Sequence, residues 1–143
     1  MISGNGPLKL TAADGGVLVE AEPAGPDRWA YPLYKLAETE RVPPRACGLS
    51  LTFTLVEGEG QFRAIFDEEG GSGYVADFLV APKTGETIEA LALFDGATFG
   101  HGWSRSDPNN RLDPDQIRSL KIGTNPKSKK VKYQLKNLRW VEF

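Results

Sequence analysis

Hydrophobic and polar residues alternate along this chain in short runs, and the runs are separated by glycine and proline. Gly48–Val56 reads GLSLTFTLV. Leu49, Leu51, Phe53 and Leu55 fall on one side, and Ser50, Thr52 and Thr54 on the other. That period of two is the mark of a half-buried strand. Gln61–Asp67 repeats the pattern, with Phe62, Ala64 and Phe66 on one face and Arg63, Ile65 and Asp67 on the opposite one. Glu68–Gly73 (EEGGSG) predicts a turn, because glycine reaches positive φ without steric penalty. Tyr74–Ala81 then returns as the second arm of a hairpin. Further strands are predicted at Val17–Glu22, Trp29–Leu36, Thr87–Phe94, Ser119–Gly123, Lys130–Gln134 and Leu135–Phe143. Asp95–Arg111 reads as a long loop. The helical signal is confined to Leu112–Ile117, one turn with Asp113 placed to cap it and Pro114 at its first position.

These elements predict an all-β fold, a jelly-roll β-sandwich of two antiparallel sheets with about eight to ten strands and at most one short helical turn. No segment repeats with the period of a solenoid or propeller. The expected core is Leu51, Phe53, Leu55, Phe62, Phe66, Phe78, Ile88, Leu120, Ile122, Val131, Leu135, Leu138 and Trp140. Burying one such side chain contributes about 1.5–3 kcal/mol, enough in sum to hold a domain of this length without disulfides. Residues 8–143 are expected to form this single domain, preceded by a disordered segment at 1–7.

Charge changes the picture little. The 143 residues carry a net charge of −2, which gives no general attraction to nucleic acid or anionic lipid. Leu112–Phe143 alone is +5 and the remainder −7. Lys127, Lys129, Lys130, Lys132 and Lys136 suit a solvated loop and a charged sheet edge that resists aggregation. They lack the interleaved aromatics of a nucleic-acid surface. No apolar run is long enough to span a membrane, Met1–Gly6 has none of the regions of a signal peptide, and a monomer is expected. Cys47 is the single cysteine, so no internal disulfide can form.

The residues that could carry chemistry are few. His101 is the one histidine; it sits in a loop with no nucleophile motif around it. Carboxylate pairs of the kind glycosidases use could come from Glu20 with Glu22, Glu68 with Glu69, or Asp67 with Asp77. Glu20 and Glu22 share a strand face near the start, and Glu142 lies near the end. If first and last strands pair, these oxygens can clamp a structural calcium ion; otherwise they are acids on a solvated strand. The aromatics without a core role are a stronger lead. Trp29, Tyr31 and Tyr34 cluster around Pro32, and Trp29, Tyr34, Tyr74 and Trp103 are candidates to stack on sugar rings, with Arg63, Asp67 and Asp77 to bond hydroxyls beside them.

The closing segment adds a resemblance. Leu112-Asp113-x-x-Gln116-Ile117-x-x-Leu120-x-Ile122-Gly123-x-Asn125, then Val131-x-Tyr133-x-Leu135-x-Asn137-Leu138-x-Trp140, resembles the end of galactose-binding-domain-like β-sandwiches. These include carbohydrate-binding modules attached to bacterial glycoside hydrolases. Gly48-Leu49-Ser50-Leu51 resembles a strand of the same modules. The resemblance implies a jelly roll, often with structural calcium, that binds a polysaccharide or oligosaccharide without cleaving it. It implies further that the module is joined to a catalytic domain on a secreted or cell-surface parent chain. Two alternatives stand beside this reading: a structural or protein-interaction sandwich without glycan binding, and a small carboxylate-dependent glycan-active enzyme.

Overall fold

A computed structural model describes residues 4–142. It is all-β, with ten strands in two five-stranded antiparallel sheets packed face to face. The strands are β1 (Leu8–Ala13), β2 (Gly16–Ala21), β3 (Leu33–Lys35), β4 (Ala46–Glu57), β5 (Phe62–Glu68), β6 (Gly73–Asp77), β7 (Thr87–Leu93), β8 (Thr98–Phe99), β9 (Ile117–Thr124) and β10 (Val131–Glu142). The first sheet runs β1-β2-β10-β4-β7 and the second β3-β9-β5-β6-β8. This is the predicted jelly-roll sandwich. The one predicted helical turn is a 3-10 turn at Pro114–Gln116. Asp113 precedes it, but its carboxylate makes no cap and instead accepts from Asn109 Nδ2 at 2.7 Å.

Alternation places the core. Leu49, Leu51, Phe53 and Leu55 of β4 face Phe62, Ala64 and Phe66 of β5, all at most 1% exposed. Phe53, Phe62 and Tyr133 interlock, with ring centroids 4.7–5.3 Å apart. The Tyr133 hydroxyl donates to the Ile122 carbonyl at 3.0 Å, which satisfies a buried polar group in the middle of the sandwich.

Four sequence expectations need correction. Leu138 was expected in the core and is 39% exposed. The pairing of β10 with β4 passes from Lys136↔Thr52 to Arg139↔Ser50, so β10 has one extra residue there, and Asn137 takes φ 57°. This β-bulge turns Asn137 to the outer face, where its Nδ2 donates to Thr52 Oγ1 at 3.3 Å, and leaves Leu138 lining the open cleft between the sheets while Trp140 packs against the core. The predicted strands at 130–134 and 135–143 are one strand bent by this bulge. Trp29–Leu36 is not one strand: only Leu33–Lys35 pairs continuously, and Ala30 makes an isolated bridge to Thr124. β1 went unrecognised because its Leu10 is exposed and its pattern has no buried face.

At the N-terminus, Met1–Ser3 lie outside the described residues. Gly4 forms a bridge with Ala30, and Asn5 hydrogen-bonds Trp29 through both backbone and side chain.

Candidate functional site

The outward face of the second sheet is a groove of about 840 Å³. Three rows of outward side chains cross its floor. Gly123, Arg63 and Asp77 form one row, Lys121, Ile65 and Val75 the middle row, and Ser119, Asp67 and Gly73 the third. Leu33 extends the middle row onto β3. The same alternation that buries Leu120 and Ile122 sends Ser119 and Lys121 to this face.

One end of the groove is built by the segment before β3. Gly123 lets this segment cross close above β9: a Cβ there would stand 2.0 Å from the Ala30 carbonyl oxygen and 2.9 Å from Tyr31 Cα. Tyr31 is thereby laid beside Arg63, and its hydroxyl donates to Asn125 Oδ1. Burial raises the Tyr31 pKa to about 12, so it stays a neutral donor. Trp29 is positioned by Asn5, whose Oδ1 accepts from the Trp29 N–H at 3.0 Å, and the ring remains 39% exposed.

Trp103 forms the other end. It projects from the 100–106 loop, which is tied to the Gly71–Gly73 turn by Gly100 N–H to the Gly73 carbonyl (2.9 Å), Gly73 N–H to Ser104 Oγ (2.8 Å) and Arg105 N–H to the Gly71 carbonyl (3.2 Å). Trp103 is 51% exposed. Between the two tryptophans stand the polar groups. Lys121 Nζ lies 3.1 Å from Asp67 Oδ2 and 5.4 Å from the centroid of the Trp103 ring. Burial raises the Asp67 pKa, and Lys121 and Ser119 partly offset that rise. Arg63 Nε is 3.3 Å from Asp77 Oδ1, so Asp77 holds the guanidinium from the sheet edge.

Of the residues proposed from sequence, the structure therefore brings together Trp29, Arg63, Asp67 and Trp103 on one face, with Asp77 behind Arg63. It places two elsewhere. Tyr34 lines a separate cleft of about 530 Å³ at the open edge of the sandwich, where its hydroxyl donates to Glu40 Oε2 at 2.6 Å. Tyr74 is 2% exposed between the sheets and donates to Asp107 Oδ2 at 2.6 Å. Tyr31, named in the aromatic cluster around Pro32 but not among the site candidates, lines the groove together with Ile65, Ser119, Lys121 and Asn125, which are not among the candidates either. The signal was available for three of them: Ile65 shares the face of Arg63 and Asp67, and Ser119 and Lys121 alternate with core residues. Nothing in the local pattern marks Asn125.

The three carboxylates expected to hold a metal are not together. β10 does pair with β2, but antiparallel, so Glu20 sits opposite Lys132 (Oε1 to Nζ 3.6 Å), while Glu142 is opposite Ala46. Ten positions along β10 separate these two points, about 33 Å of strand. Glu68, Asp107 and Asp113 do converge, with carboxylate oxygens within 4.8 Å of one another. Each already has partners. Glu68 Oε2 accepts from the Asp113 N–H at 2.7 Å, and Asp107 accepts from Tyr74. Burial and the neighbouring carboxylates raise the Glu68 pKa to about 7, while the Tyr74 hydroxyl lowers that of Asp107. Glu68 thus keeps its proton to higher pH than a free glutamate while Asp107 loses its own more readily, and this pair sits at the far end of the Trp103 loop.

Comparison of the whole chain with solved structures matches this architecture. The family 11 module of the cellulosomal cellulase Lic26A-Cel5E of Clostridium thermocellum superposes with a TM-score of 0.69 at 17% identity, over 98% of this chain and 83% of that one. The chain has the fold of a family 11 carbohydrate-binding module. The solution structure of CtCBM11 gives a TM-score of 0.73 at 17% identity, over 100% and 88% of the two chains. The C. thermocellum family 11 module in complex with a β-1,3-1,4-mixed-linked tetrasaccharide gives 0.70 at 15% identity, over 97% and 84%. An agarase, AgWH50C, matches with a TM-score of 0.59 at 10% identity, over 99% of this chain but only 22% of the enzyme. No family model and no curated protein sequence matches. The resemblance to carbohydrate-binding sandwiches in the closing segment therefore holds at the level of the fold.

Proposed function

We propose that this domain binds a polysaccharide or oligosaccharide chain in the groove on the second sheet, without cleaving it. The observation that carries this reading is the pairing of two exposed tryptophans, Trp29 and Trp103, with hydrogen-bonding side chains between them on one rigid sheet face. Sugar rings need both kinds of group, an apolar surface for their C–H faces and polar groups for their hydroxyls. From Thr124, beside the Trp29 segment, to Ser119, in the row beneath Trp103, β9 runs five residues, about 17 Å. That length suits a short oligosaccharide. A structural neighbour that holds a mixed-linked tetrasaccharide makes β-1,3-1,4-glucan the first ligand to try.

The groove is charge-balanced, which favours a neutral glycan: Lys121 is paired with Asp67 and Arg63 with Asp77. Its carboxylates are also committed. Asp67 is held by Lys121 and Ser119, and Glu68 by the Asp113 N–H. The ion pair with Lys121 occupies Asp67, the carboxylate on the groove floor, which supports binding without a nucleophilic step. In the same reading the domain is an appendage that brings a glycoside hydrolase, on a secreted parent chain, to its substrate.

Affinity electrophoresis tests the proposal directly. Gels containing β-1,3-1,4-glucan, xylan, mannan or galactan should retard the protein in at least one case, and reducing ends should not accumulate. Free migration in all of them removes the binding reading, and steady release of reducing ends removes the non-catalytic one.

A further inference from the structure

Trp103 is seated on two glycines. A Cβ added to Gly100 would stand 2.1 Å from Trp103 Cζ2, and one added to Gly73 would stand 2.4 Å from Cζ3. Both separations are far inside van der Waals contact, so the six-membered ring occupies space that any other residue would fill. The three nearest neighbours of a Gly100 Cβ are all atoms of this ring. Neither glycine has a positive φ. Their backbone would accept alanine; the ring would not.

The seat also fixes what stands beside the ring. Gly73 is paired with Asp67 across β5 and β6, and Asp67 holds Lys121 at 3.1 Å. The three hydrogen bonds between the 100–106 loop and the Gly71–Gly73 turn keep the loop from carrying the ring away. An indole immobilised next to one acceptor and one cationic donor has the composition of a sugar subsite: a stacking surface, with two polar groups in reach of neighbouring hydroxyls. Holding the ring before the ligand arrives also lowers the ordering entropy that binding must overcome.

We infer that Trp103, Asp67 and Lys121 form one hexose subsite of the groove, and that Gly100 and Gly73 are its positioning residues, selected to keep the indole flat against the sheet. This rests on the glycan-binding reading and deepens it.

A double-mutant cycle separates the two. Wild type, Gly100→Ala, Trp103→Ala and the double variant are titrated calorimetrically with the β-1,3-1,4-mixed-linked tetrasaccharide, and each is melted. Gly100→Ala and Trp103→Ala should each weaken binding by about tenfold or more. Gly100→Ala should have no further effect in the Trp103→Ala background, because its action passes through the ring. Gly73→Ala gives the same reading should Gly100→Ala fail to fold. A wild type that binds neither the tetrasaccharide nor any of the four gel polysaccharides overturns both the glycan reading and this inference; one retarded only by another polysaccharide is titrated with an oligosaccharide of that polymer instead. A wild type that binds, with Gly100→Ala and Gly73→Ala binding as tightly, overturns this inference alone. So does a Gly100→Ala effect of equal size with and without Trp103.

Discussion

Lys121 and Asp67 are joined across the floor of the groove, Nζ to Oδ2 at 3.1 Å, with side chains only 24% and 14% exposed. Removing the lysine leaves a largely buried carboxylate without its counter-charge. Lys121→Met should therefore lower stability by about 2 kcal/mol at neutral pH. The sign with pH follows from Asp67, whose pKa is already raised and rises further without Lys121. A folded carboxyl that keeps its proton longer than the unfolded one loses stability as pH rises. The difference from wild type should be largest above about pH 6 and shrink toward about pH 3, where Asp67 is protonated in both states. Melting curves of both proteins across that range check this; a difference independent of pH would assign the effect to lost packing.

The aromatic residues divide by position. Trp29→Ala should weaken glycan binding about tenfold with little change in melting temperature, because the ring is exposed at the end of the groove. Tyr34→Phe should change neither binding nor stability beyond about 0.5 kcal/mol, since its bond to Glu40 is at the surface. Tyr74→Phe should keep binding but lower stability by about 1–3 kcal/mol, because the buried hydroxyl bonded to Asp107 is lost. Melting and calorimetry of the three variants side by side provide the check. Loss of binding in Tyr34→Phe would move the site to the other cleft.

That division shows what the sequence could and could not reveal. β4, β5, β7 and the Ser119–Gly123 part of β9 were legible because their side chains alternate, and alternation alone sorted Arg63 and Asp67 to the face opposite Phe62 and Phe66. Tyr74 is one position from the same logic: it pairs with Phe66 in the register and so points inward, and its place after a glycine turn disguised this. Lys121 was obscured among the lysines of a basic segment, although Leu120 and Ile122 fix its direction. Asn125, and the pairing of Tyr31 with it, could not be found locally. They meet through a crossing of the 29–31 segment over Gly123, a contact between residues 94 apart in the chain. The separation of Glu142 from Glu20 is likewise a matter of strand direction, which composition does not encode.

Glu68 predicts a second pH dependence. Between the ordinary glutamate value of 4.5 and about 7, the folded chain retains a proton that the unfolded chain has released. Stability should fall as pH rises through this window, on the order of 2 kcal/mol from this group. Glu68→Gln keeps an oxygen for the Asp113 N–H and removes the titration, so its stability should be flatter between those limits. Denaturant unfolding at pH 5 and pH 8 measures this, and an unchanged slope in the variant would place the proton elsewhere.

The account centres on the groove of the second sheet as the place where a glycan sits, and amide chemical shifts mapped during a titration with the β-1,3-1,4-mixed-linked tetrasaccharide test it most directly. The predicted result is saturable shifts at Arg63, Ile65, Asp67 and Lys121 and at the indole N–H signals of Trp29 and Trp103, with Tyr34 and Leu138 unmoved. Shifts confined to the cleft around Tyr34 would contradict it.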